Sequence, residues 1–141
     1  MRWACGSEPM SGLDIGVYVP QMGFSYADVL HRAQRCEELG IGSLWLYDHM
    51  YGPGVPDISS LEAWTLATAL LSRTERLRVG HMVLCNTFRH PAVLAKMATT
   101  LDQISNGRLE LGMQHEAPPA LELFARRRSG GDAVDRRHVI G

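Results

Sequence analysis

The sequence predicts a parallel α/β fold built from repeated strand-helix units, on three observations. Short apolar, β-branched runs alternate with segments of helical periodicity. The runs begin near Leu13, Ser43, Leu77 and Arg108. The intervals between them, 30, 34 and 31 residues, are each about the size of one βα repeat. Parallel strands joined in this way call for right-handed crossovers. Periodicity leaves two architectures open, because four or five such units fit a doubly wound sheet as well as part of a (β/α)8 barrel. Length favours the first, since a whole barrel takes about 250 residues and this chain has 141.

The first unit opens with residues 13–20, LDIGVYVP, an apolar run between turn signals that suits a strand buried on both faces. Behind it Tyr26, Val29, Leu30, Ala33, Cys36 and Leu39 recur at helical spacing, charged residues such as Arg32, Arg35 and Glu38 fill the opposite face, and Gly40 marks the stop. Residues 43–49, SLWLYDH, form the second strand, which gives way to a loop containing Gly52, Pro53, Gly54 and Pro56. Ser59 and Glu62 have the spacing of a capping box. The segment 61–71 behind them carries a single charge, so the second helix should be buried on more than one side. Residues 77–85 are the third strand. Pro91 suits the first turn of a third helix, with an apolar stripe of Leu94, Met97, Ala98, Leu101 and Ile104 and a stop at Asn106-Gly107, and residues 109–113 make the fourth strand. Trp45 and Trp64 read as core aromatics, and His81, in mid-strand, as a satisfied interior histidine.

Composition narrows the function classes. With 45% apolar and 21% charged residues the chain is an ordinary globular domain, so disorder, collagen and coiled coil are poor readings. A net charge of −1 provides no bulk field toward nucleic acid or anionic lipid. The longest greasy stretch, residues 63–71, falls far short of the roughly 20 residues of a membrane helix. No apolar signal region stands in residues 1–12, so a cytoplasmic location is expected. Cys5, Cys36 and Cys85 are odd in number and lack CxxC spacing, which points to reduced thiols; the six histidines show no ligand spacing, so no metal is expected.

After Met113 the rhythm stops. Ala, Arg, Gly and Pro supply 14 of the 28 residues from Gln114 onward, against 33 of the first 113, and these are the residues that GC-rich codons encode. The expectation is therefore a domain over residues 1–113 and a non-matching tail over 114–141, disordered or arising from a frameshifted or truncated reading. The alternative is a solvated basic terminus in which Arg126, Arg127 and Arg128 meet an acidic partner.

Three segments together resemble the luciferase-like monooxygenase superfamily: the GVYVPQ start, LWLYDH at the end of the second strand, and FRHPAVLAKMATTLDQISNGRLELG across the third helix and fourth strand. The resemblance covers residues 13–113. It implies the first four βα units of a (β/α)8 barrel instead of a doubly wound sheet, and a flavin-dependent oxidoreductase or monooxygenase using FMN or coenzyme F420 on a small organic substrate. Against a barrel of that size the chain is expected to be a truncated form, either the oxidoreductase or its inactive remnant with cofactor binding lost; half a barrel leaves a face uncovered, and self-association through the open edges is expected.

Carried over residue by residue, the resemblance places Asp48 and His49 at the tip of the second strand beside the cofactor ring. His49 is the candidate catalytic group, because an imidazole titrates near neutrality and barrel enzymes keep their chemistry at the C-terminal ends of strands. From spacing alone a strand-end Asp and a solvated His is the simpler reading. Both can reach one cofactor only if the strand has already ended there. Cys85 and Asn86 match the end of the third strand, where relatives contact the flavin edge, and read otherwise as a buried thiol and a turn residue. Gly112 matches the start of a glycine-rich turn that admits the cofactor. Arg89 and His90, beside Pro91, are assigned to starting the third helix. Two further readings stand beside the enzyme: a non-catalytic doubly wound binding module, which would put the first strand inside the sheet, and an interaction fragment that pairs with a full-length paralogue.

Overall fold

The computed structural model of the chain describes residues 14–114, apart from Pro53 and Pro56. Its elements are strand β1 (Gly16–Tyr18), helix α1 (Tyr26–Glu38), strand β2 (Ser43–Leu46), helix α2 (Ala63–Leu71), strands β3 (Arg78–His81) and β4 (Leu84–Cys85), helix α3 (Pro91–Ser105), and strands β5 (Leu109–Glu110) and β6 (Met113–Gln114). The runs read as single third and fourth strands are each two short ones. The third is interrupted at Met82-Val83, whose peptide bond is cis, and the fourth at Leu111-Gly112. The halves keep step with each other, because β3 pairs with β5 and β4 with β6, both in parallel. At the second interruption the backbones come too close for a side chain. A Cβ on Gly112 would lie 2.4 Å from the His81 carbonyl oxygen, and the Gly112 carbonyl accepts from the Leu84 N–H at 2.8 Å.

Strand order separates the two architectures. β1, β2, β3 and β5 stand side by side in chain order, every pair parallel, with β1 at an edge. A doubly wound sheet reverses its order and encloses its first strand. Helix placement agrees. Alternate strand residues Val17, Leu44, Leu46, Val79 and Leu109 share one core with Val29 and Ala33 of α1, Leu66 and Leu70 of α2, and Leu94 and Leu101 of α3. All three helices thus cover the same face, as in a barrel, where a doubly wound sheet is covered on both.

The opposite face presents Tyr18, Ser43, Trp45, Arg78 and Glu110 by strand alternation. Trp45 was expected in the core and lies here instead, half-buried across the glycines of both neighbouring strands. A Cβ on Gly16 or on Gly80 would stand 2.7 Å from its indole, and its Nε1 donates to Ser43 Oγ at 3.0 Å. Trp64 is in the core as expected. On the same face as Trp45, Arg78 pairs with Asp14 and, at 2.9 Å, with Glu110.

Helix ends follow local chemistry with one departure. Ser25 and Asp28 form a reciprocal capping box on α1. α3 starts on Pro91 behind the His90 cap and ends on Asn106 in the left-handed region (φ 57°). On α2 the cap is Glu62 and not Ser59: its carboxylate accepts from the N–H groups of Trp64 at 3.1 Å and Thr65 at 2.7 Å, while the Ser59 carbonyl accepts from Gly23 N–H at 2.9 Å. Gln114 still belongs to β6; the rest of the tail, residues 115–141, lies outside the described residues.

Candidate active site

β2 ends at Leu46, and the two residues after it, Tyr47 and Asp48, are held from opposite sides. Gln21, fully buried, substitutes for a strand partner: its Nε2 donates to the Tyr47 carbonyl at 2.6 Å and its Oε1 accepts from the Tyr47 N–H at 3.3 Å. From the other side the Asp48 carboxylate accepts from the Cys85 N–H at 3.0 Å and from both terminal nitrogens of Arg89, at 2.6 and 3.0 Å. This is the two-pronged geometry that planar guanidinium and carboxylate groups favour. Arg89 reaches on to Glu62, the cap of α2. The Asp48 and Arg89 side chains are 5% and 14% exposed, so the pair is close to dry. Contact with Asp48, against the cost of burial, holds the Arg89 guanidinium above its ordinary range. Burial pushes the Glu62 carboxyl up, and donation from Thr65, Trp64 and Arg89 outweighs it, leaving the carboxyl below its usual value.

His49 is the next side chain out. It is exposed, its ring centroid 5.2 Å from that of Tyr47 at a tilted angle, and the Tyr47 hydroxyl is hydrogen-bonded to Ser60 Oγ at 2.8 Å. Because the strand has ended, Asp48 and His49 line one cleft of about 250 Å³, together with Ser60, Glu62, Phe88 and Arg89.

Of the other expected site residues, Cys85 is tied to Asp48 by its N–H and is buried, with Sγ 3.0 Å from Thr87 Oγ1. Asn86 follows it, its Oδ1 buried and without a hydrogen-bond partner among the described residues. Gly112 sits against the His81 backbone, one strand away. His81 is an interlayer histidine only half satisfied. Its ring stacks on Trp64 at 5.4 Å, Nε2 lies 3.3 Å from the Ala63 carbonyl, and Nδ1 has no partner among the described residues. Burial pushes this imidazole below its ordinary value, so at neutral pH it is uncharged.

Arg89 was assigned to the helix start. His90 and Pro91 carry that role, while Arg89 turns back into the site. The readable signal was Glu62, the one charge on an otherwise apolar segment, which needs a partner if its helix is buried.

Consecutive parallel strands, helices on one face and ionisable side chains gathered at the C-terminal strand ends define the opening portion of a barrel of the enzyme-bearing kind. The luciferase-like monooxygenase family matches residues 9–131, and the chain belongs to that family. It is 36% identical over 109 residues to the F420-dependent glucose-6-phosphate dehydrogenase of Amycolatopsis mediterranei, covering 72% of this chain and 31% of that protein. It is 30% identical over 117 residues to the limonene 1,2-monooxygenase of Rhodococcus erythropolis, covering 83% and 28%. Among solved structures it is similar to the oxygenating constituent of the 3,6-diketocamphane monooxygenase of Pseudomonas putida in complex with FMN, with a TM-score of 0.67, 24% identity, and 80% of this chain and 32% of that one covered. At that identity the likeness shows the fold. The chain spans about three tenths of the length of these relatives. No helix among the described residues is long and apolar enough to cross a membrane.

Proposed function

We propose that this chain supplies the ring-facing wall of an oxidoreductase site for FMN or coenzyme F420 acting on a small organic substrate. The observation that carries the reading is the cleft at the end of β2, where an exposed imidazole, His49, stands on a segment pinned by Gln21 and by the Asp48–Arg89 pair. The residues present fit the ring of such a group in two respects. Asn86 Oδ1 is a buried acceptor awaiting a donor, and the cleft opens beside His49. At about 250 Å³ the cleft holds only part of the cofactor, and barrel enzymes commonly seat the phosphate after their seventh and eighth strands.

When bound, the cofactor supplies the redox chemistry. His49 holds or delivers a proton at a ring nitrogen beside it. Asn86 accepts a hydrogen bond from the ring edge, and the Cys85 backbone, fixed by Asp48, forms the adjacent wall. Gly112 keeps the next strand close enough for that wall to be continuous. Three cysteines without a disulfide frame suit a reducing, cytoplasmic setting. The open edges of the sheet, β1 and β5, favour self-association.

Fluorescence titration of the 141-residue chain with FMN and with F420 tests this reading. Saturable binding of one of them, retained by His49→Ala and weakened by Asn86→Ala, is the expected result; no saturable change with either cofactor overturns it.

A further inference from the structure

We infer that Arg89 is a positioning residue, which sets the charge and the geometry felt by His49 through the Asp48 carboxylate. Four observations carry this. Arg89 donates to both oxygens of Asp48, the residue immediately before His49. The Asp48 Oδ2 that takes one of these bonds also takes the Cys85 N–H, so a single carboxylate ties the chain after β2 to the end of β4. The guanidinium goes on to Glu62 at the head of α2, so three segments meet on one side chain. Arg89 also lines the same cleft as His49, where the charged groups are Asp48, Glu62 and Arg89. A caps-and-turns role would use none of this, since His90 and Pro91 already start α3.

The physical consequence is twofold. One guanidinium against two carboxylates leaves this part of the cleft wall with a net charge of about −1, and without Arg89 it would be −2, in the same cleft that His49 lines. Arg89 thus offsets part of the carboxylate charge that lines this cleft. It also removes the freedom of the Asp48-His49 segment, because a forked contact fixes orientation where a single point charge does not. The assignment bears on catalysis only through the reading of His49 proposed above, but it can be tested without any cofactor.

The test is NMR of the His49 ring in the unliganded 141-residue chain across the imidazole titration. Arg89→Gln uncovers the carboxylates, and the His49 titration is expected to move up by about half a pH unit or more. The double substitution Asp48→Asn with Arg89→Gln is expected to return it. A His49 titration that Arg89→Gln leaves in place, in a folded chain, overturns the inference. Should Arg89→Gln fail to fold, Arg89→Lys is read on the same resonances. Lysine keeps the charge but serves fewer oxygens, so the ring and the Asp48-His49 amide signals are expected to broaden or split; spectra superimposable on those of the unsubstituted chain overturn the inference. If the chain binds neither FMN nor F420 while His49 still responds to Arg89, the cofactor reading fails and this one stands. The opposite pattern separates them the other way.

Discussion

Single side chains do two kinds of work in this structure, and acid separates them. Glu37, on α1, takes the N–H groups of Glu75, Arg76 and Leu77 on one carboxylate oxygen, Oε1, pinning the turn before β3. Burial pushes that carboxyl up, and the three backbone donors outweigh it, so it sits below the ordinary 4.5. A carboxyl depressed in the folded state contributes stability above its unfolded value and loses it as pH falls through the folded one. His81 is depressed by burial below 6.5. Between its folded value and 6.5 the unfolded chain binds a proton that the folded chain refuses, so stability declines as pH drops from 6.5 and levels off once the folded ring is protonated. Urea denaturation across this range should show two losses, the first absent in His81→Leu and the second reduced in Glu37→Gln, the remainder belonging to other depressed carboxyls such as Glu62. Unchanged slopes in the two variants would refute the assignments. Neither role is written in the sequence. Glu37 reads as one of several charges on an exposed helix face, and its three donors lie nearly forty positions away; His81 reads as interior, but nothing in the sequence marks its Nδ1 as lacking a partner among the described residues.

Elements were legible where their signals are local. Apolar spacing, Pro91 and Asn106-Gly107 bound α3, and Gly40 marks the end of α1, because caps and turns are made by neighbours in sequence. The start of α2 was misplaced by the Ser59 signal, since Glu62 serves the cap and Arg89 together and its second partner comes from 27 residues downstream. The interruptions of the third and fourth strands were invisible for the same reason. An apolar run such as RVGHMVLC carries no mark of a break that lies beside the close approach of Gly112, thirty-one positions on from His81. Gly112→Ala tests that account. Its Cβ would meet the His81 carbonyl at 2.4 Å, so the substitution should destabilise the chain by about 1–3 kcal/mol, read from urea midpoints, although alanine has the better propensity for a strand. A neutral or stabilising result would contradict the close approach.

At the scale of the chain, periodicity supplies the parallel α/β class but not the choice of a partial barrel over a doubly wound sheet; that comes from the resemblance, and the strand order β1-β2-β3-β5 with helices on one face agrees with it. Asp48 and His49 were found as a pair, but that one faces Arg89 while the other faces out depends on a partner 41 positions along the chain. Among the described residues Tyr18, on the face opposite the helices, and Leu111 and Met113 are exposed apolar groups, so sedimentation of the 141-residue chain should show species larger than a monomer, and a monomeric, cooperatively melting sample would count against that expectation. The proposed site has the C-terminal strand ends facing a flavin or deazaflavin ring, which amide shift mapping of the labelled chain with FMN and with F420 checks. Perturbations confined to His49, Met50 and the segment from Cys85 to Arg89 are expected. Perturbations centred on the opposite strand ends, around Asp14, Arg78 and Glu110, would contradict it.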